Sequence, residues 1–152
     1  MKAVYIKVFG DVTGLEIMEM PEPSLPVGSE IIVRVASAGL NRADVLQRKG
    51  LYPPPAGVPD RIPGLEFSGR VSAIGETVTD FKQGDEVFGI VAGGAQAEFV
   101  KTSSAELMRV PKGLGLTEAG AVPEAFITAF DALFLQAKAS RGSSVLAAEL
   151  QS

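Results

Sequence analysis

Apolar and polar positions alternate along most of this chain, and the alternation is broken by glycine and proline. "KAVYIKVFG" and "LEIMEM" read as two short strands joined by the turn "GDVTG". "PEPSLPVGSE" is a proline-rich connection that cannot join a sheet ladder. In "EIIVRVASAGL", Ile31, Val33 and Val35 alternate with Ile32, Arg34 and Ala36, and the β-branched content predicts a strand with one face mostly buried. A short helix is predicted over "NRADVLQRKG", with Asn41 as its cap, Ala43, Leu46 and Gln47 near helical spacing, and Gly50 as its stop. "YPPPAGVPDRIP" must be an extended loop, because each proline pushes its predecessor out of the helical region. Further strands are expected in "GLEFSGRVSAIG", "FKQGDEVFGIV" and, around a Thr-Ser-Ser turn, "AQAEFVKTSSAELMRVP". A helical N-terminus is expected at Thr117 with "EAGA", and a break or second start at Pro123. From about Glu124 to Ala139 a helix would place Phe126, Ala129, Phe130, Leu133, Phe134 and Ala137 on one wide apolar face. Seven or eight short strands with one long helix predict an all-β barrel or sandwich with helical additions, a mainly β fold.

Composition narrows the chemistry more than the fold. The 152 residues suffice for one domain, and 46% hydrophobic against 21% charged content supports a buried core. No apolar run approaches the roughly 18 residues of a membrane span. The N-terminus alternates and carries Lys7 and Asp11, so it is expected to be a strand of a cytoplasmic protein and not a secretory signal. With no cysteine there is neither disulfide nor thiol catalysis. With no histidine, the commonest general base and metal ligand is missing, and any metal would need oxygen ligands alone. A net charge of −4 without a Lys/Arg stripe argues against nucleic acid as a partner.

The candidate residues each have two readings. Asn41 and Asp44 can be caps on the short helix. Tyr52, ahead of three prolines, can be a packing aromatic of the loop. Glu66 lies between Leu65 and Phe67 in an expected core strand. Alternation can point it outwards to water. If it points inwards, it is a buried carboxylate that needs a partner, for which Arg42, Arg48 and Arg61 are candidates. The pair Gly93-Gly94 suggests a tight turn where backbone or ligand comes close. Neither a Gly-x-Gly-x-x-Gly nor a Gly-x-x-x-x-Gly-Lys-Ser/Thr motif is present, so the sequence carries no recognisable phosphate-binding loop.

Four stretches taken together, "ASAGLNRADVLQRKGLYPPP", "IPGLEFSGRVSAIG", "FKQGDEVFGIVAGGAQAEFV" and "VPKGLGLTEAGAVPEAFITAF", resemble the medium-chain dehydrogenase/reductases, and among them the zinc-free quinone oxidoreductases of zeta-crystallin type. The resemblance covers about residues 1–140. Zinc members have a Cys near the position of Asn41 and a Gly-His-Glu where this chain has Gly64-Leu65-Glu66. The resemblance implies a GroES-like catalytic domain over residues 1–123, a strongly bent, partly open β-barrel. It also implies a helix over 124–140 that leads to a Rossmann domain. Residues 141–152 would be a short terminal strand or the remnant of a lost cofactor domain.

The implied reaction is hydride transfer from NADPH to a quinone or activated alkene without a covalent catalytic residue. By resemblance, Asn41 would bond near the nicotinamide ribose or the substrate oxygen. Tyr52 would line the substrate pocket, and Thr128 would meet the nicotinamide end of the cofactor. Asp44 would order the Asn41 segment, and Glu66 would give structural support. Relatives run to about twice this length, so weak or absent NADPH binding is expected of the chain alone. The exposed apolar helix predicts a homo-oligomer. The alternative is a non-catalytic GroES-like module that associates with itself.

Overall fold

The computed structural model describes residues 1–144. The expected terminal strand or remnant over 141–152 therefore falls, from residue 145 on, outside the described residues. Strands β1 (Lys2–Ile6) and β2 (Leu15–Glu19) form an antiparallel pair in which Val4 faces Ile17. Five more strands form an antiparallel sheet: β3 (Glu30–Ala38), β4 (Glu66–Ile74), β5 (Glu86–Ile90), β6 (Phe99–Ser103) and β7 (Leu107–Arg109), in the order β6-β3-β4-β5-β7. The hairpin is joined to the larger sheet by the Ala3–Ala97 bridge and by the Val4 N–H, which donates to the Gln96 carbonyl at 2.9 Å. Two sheets joined in this way do not close, which fits the partly open barrel expected.

The inner face is the core. Ile31, Val33, Phe67, Val71, Val87, Ala95, Val100 and Leu107 form one buried cluster. Ile32 is buried as well, because the β3–β4 register slips between Ile32 and Val33 and interrupts the strict alternation. Gly69 of β4 lies against β3 so closely that a Cβ there would come within 2.1 Å of the Arg34 carbonyl oxygen.

Among the described residues three α-helices decorate the sheet: α1 (Arg42–Arg48), α2 (Leu116–Ala119) and α3 (Pro123–Phe130). α1 starts and stops as expected, with Asn41 at its cap and Gly50 at φ +76° after its last turn. The short α2 is fastened to the sheet by two hydroxyls. Ser37 Oγ donates to the Thr117 carbonyl at 3.1 Å, and Ser68 Oγ donates to the Leu116 carbonyl. Pro123 is a second start, at the first position of α3, where its missing N–H costs nothing.

The expected single helix to Ala139 is corrected. After Phe130 the winding widens to a π-helix over Asp131–Gln136. The Ala137 N–H reaches the Ala132 carbonyl at 3.0 Å, and Gln136 Nε2 reaches Asp131 Oδ1, both spaced five residues apart. Lys138, at φ +52°, ends the segment. Phe126, Phe130 and Phe134 remain more than half exposed, and the last two rings meet at a 42° tilt with centroids 5.1 Å apart.

Candidate functional site

The site grows from two short segments that each place a polar residue two positions after a glycine: Gly39-Leu40-Asn41 at the end of β3 and Gly64-Leu65-Glu66 at the start of β4. Asn41 and Asp44 stand in a capping-box relation at the head of α1. The Asp44 carboxylate accepts the Asn41 N–H at 2.8 Å and the Gly64 N–H at 2.9 Å, so one buried side chain ties both segments together. Gly64 is required here twice over. Its φ is +112°, and a Cβ would come within 2.5 Å of the Gln96 backbone nitrogen.

Glu66 points inwards. It is 3% exposed, flanked by the buried Leu65 and Phe67. Of the two readings of its position, the structure selects the buried one, with a different partner from those considered. Its Oε1 accepts from Asn41 Nδ2 at 2.9 Å, and its Oε2 accepts from the Glu124 backbone N–H at 2.9 Å. Arg48 is turned to the Gly10 carbonyl and Asp11, and Arg61 to the Ile6 and Lys7 carbonyls. The Glu124 amide belongs to the first turn of α3, whose leading N–H groups have no helical partner and carry partial positive charge. A neutral amide and a helix start therefore meet the carboxyl that Arg48 and Arg61 do not reach. Gly39 makes room for this: a Cβ there would fall 2.1 Å from Glu66 Oε1.

Three carboxylates gather around this bridge. Burial pushes the Asp44 carboxyl above the ordinary aspartate range, and the nearby Glu66 adds to the rise. Glu124 is raised as well, first by burial, then by Glu66 and Asp44. Among the described residues, no group of three or more His, Cys, Asp or Glu is arranged to hold a metal ion.

The structure thus brings together Asn41, Asp44 and Glu66. It does not put Tyr52 beside them. Tyr52 is 44% exposed and lines a separate cavity of about 250 Å³ with Phe9, Gln47, Gly50, Pro53, Pro54 and Asp60. Thr128 is exposed on α3, one turn after Glu124 and therefore on the same side of that helix. Three contributors escaped the sequence reading: Gly39, Gly64 and the Glu124 amide. The repeated Gly-Leu-polar spacing and the proline at the start of a helix were the available signals.

Comparison with known proteins places this geometry. Residues 28–135 match the model of the alcohol dehydrogenase GroES-like domain. The chain is 36% identical over 148 residues to the human synaptic vesicle membrane protein VAT-1 homolog-like, covering 96% of this chain and 34% of that protein. The crystal structure of the human VAT-1 homolog-like protein superposes with a TM-score of 0.84 at 34% identity, covering 93% of this chain and 45% of that one. The quinone oxidoreductase of Lama guanicoe is 31% identical over 148 residues, covering 96% and 44%. The Escherichia coli quinone oxidoreductase, solved with NADPH, superposes with a TM-score of 0.76 at 28% identity, covering 88% and 40%. The chain therefore spans between a third and a half of the length of these relatives.

Proposed function

The chain belongs to the alcohol dehydrogenase GroES-like domain family, and from that premise we propose that it forms the hydride-acceptor side of an NADPH-dependent quinone oxidoreductase. The observation that carries the proposal is the Asn41–Glu66 bridge. The Asn41 amide turns its nitrogen to Glu66, whose Oε1 accepts from it. That nitrogen has two hydrogens, and Glu66 engages one. The other suits a carbonyl oxygen of a quinone or enone, or a ribose oxygen of the cofactor. Asn41 is half-buried, which leaves it open to such a ligand.

The remaining parts follow from placement. NADPH, when bound, supplies the hydride. Thr128 offers an exposed hydroxyl on the helix that Glu66 holds, and in this proposal it meets the nicotinamide end. The role of Tyr52 in the acceptor's pocket rests on the resemblance alone, because its ring lines the separate loop cavity. Zinc plays no part: the positions that hold a zinc-binding Cys and His in zinc relatives are Asn41 and Leu65, and neither an amide nor a leucine serves that metal. The described residues lack the Gly-x-Gly-x-x-Gly turn that holds a pyrophosphate at a helix start. NADPH binding by these 152 residues should accordingly be weak. The cytoplasmic location expected from the sequence belongs to this proposal too; no helix among the described residues is long and apolar enough to cross a membrane.

Calorimetric titration of the chain with NADPH tests the division of labour. A weak or undetectable heat is expected, and a micromolar dissociation constant would contradict it. A second reading, a self-associating module, is favoured by one observation, the exposed Phe126, Phe130 and Phe134. Stable assembly without nucleotide, combined with no response of the Asn41 region to quinone, would decide for it.

A further inference from the structure

On the solvent side of the sheet, two arginines stand directly opposite each other. Arg34 of β3 and Arg70 of β4 are register partners, and both are exposed. Like charges in this position are destabilising, so the arrangement is unfavourable unless an anion lies between them. Arg70 has partial relief from Glu86, its neighbour on β5, through one guanidinium nitrogen. Among the described residues no carboxylate pairs with Arg34; its register neighbour on β6 is Phe99.

The pair borders a cleft of about 320 Å³ lined by Arg34, Val35, Ala36, Arg70 and Leu116. That volume lies within the usual range of small-molecule pockets. One wall is Leu116, at the start of α2, and it does not move freely. The Ser68 hydroxyl holds its carbonyl, and the Ser37 hydroxyl holds that of Thr117. The floor is sheet backbone drawn together at Gly69. The cleft thus has an apolar wall at Leu116, sheet residues Val35 and Ala36 beside it, and two planar forked donors. A guanidinium has five N–H donors, so Arg70 keeps free ones beside its bond to Glu86.

We propose that this cleft binds an oxyanion attached to a compact apolar body, with the oxyanion between Arg34 and Arg70 and the apolar part against Leu116. The oxyanion can be a phosphate monoester or a carboxylate; both fit a guanidinium fork. This site is independent of the Asn41 region and of the function proposed for it.

The test is a titration of the isotopically labelled 152-residue chain with phenyl phosphate, benzoate and inorganic phosphate, followed by the Nε–Hε resonances of Arg34 and Arg70. Saturable shifts of both are expected with phenyl phosphate, benzoate or both. Whichever binds more tightly identifies the oxyanion, and inorganic phosphate, without an apolar body, should be weaker than phenyl phosphate. Arg34→Ala and Arg70→Ala should each weaken binding about tenfold, as for one lost charge-assisted contact. Without ligand, Arg34→Gln should raise the urea midpoint, because it removes the like-charge contact. Shifts that stay linear with concentration for both aromatic ligands, or undiminished affinity in Arg34→Ala, would overturn the proposal. So would a lowered midpoint for Arg34→Gln, because Arg34 would then be serving the fold.

Discussion

Asn41 donates its side-chain amide to the buried carboxylate of Glu66 across 2.9 Å, and this single bond joins the head of α1 to the first residue of β4. Glu66 passes the connection on to α3 through the Glu124 amide. Asn41→Leu should leave the buried Glu66 Oε1 without its side-chain donor and cost about 1–3 kcal/mol, as for a buried acceptor left unsatisfied. Urea denaturation against the parent chain measures it. A change within about 0.5 kcal/mol, as for ordinary surface substitutions, would mean that Glu66 is not relying on Asn41.

Gly39 should be intolerant of even one methyl group. Its Cβ would meet Glu66 Oε1 at 2.1 Å, and that carboxylate is held at both oxygens. Gly39→Ala is expected to cost about 1–3 kcal/mol, the usual range for overpacking. It should also shift the Asn41 side-chain amide resonance. An unshifted resonance with unchanged stability would show that the carboxylate can move aside.

The pH dependence has a definite sign at Asp44. Its folded carboxyl titrates above the ordinary aspartate value, chiefly through burial, so the folded chain holds that proton longer than the unfolded chain does. Its contribution to stability is therefore greatest at low pH. It falls as pH rises from the ordinary aspartate value through the raised one, and is flat above. Measured by urea midpoints over a pH series, the parent should lose stability relative to Asp44→Asn across that window. A parent that gains over the variant there would contradict the assignment. Glu30, Glu76 and Asp85 run the other way. Hydrogen bonds from backbone N–H groups lower all three, so their contributions are present above the ordinary carboxylate value and are lost on acidification.

Much of this was legible in the sequence, for local reasons. The strands of the two sheets follow from alternation, and α1 follows from Asn41 and Gly50, because those signals act within a few residues. Pro123 likewise marked the start of α3. Three things were not legible. The inward Glu66 was hidden because alternation alone cannot say which face of β4 meets the core. Its partners were hidden because one is a neutral amide, Asn41, where a cation was sought, and the other is a backbone N–H 58 residues away, which no side-chain inventory contains. The π-helical end of the last helix was hidden because its apolar spacing suits an ordinary helix equally well. The roles of Asn41, Tyr52 and Thr128 came from resemblance, and the structure adds their placement.

The exposed phenylalanines carry a prediction of their own. Phe126, Phe130 and Phe134 present a ridge that water solvates poorly, and the chain should associate through it. Sedimentation velocity should show an assembly that Phe130→Glu returns towards monomer. A parent chain that is monomeric at high concentration would count against an oligomer built on this ridge.

The proposed hydride-acceptor role meets its most direct test at the Asn41 amide itself. The labelled chain should be titrated with a soluble quinone and with reduced nicotinamide mononucleotide, which carries the reacting ring without the adenosine half. The Asn41 side-chain amide should shift saturably with at least one of them and the Thr128 backbone amide with the mononucleotide, and Asn41→Leu should strongly weaken the Thr128 response. Shifts confined to other surfaces, with the Asn41 and Thr128 signals unmoved by either ligand, would contradict the proposed site.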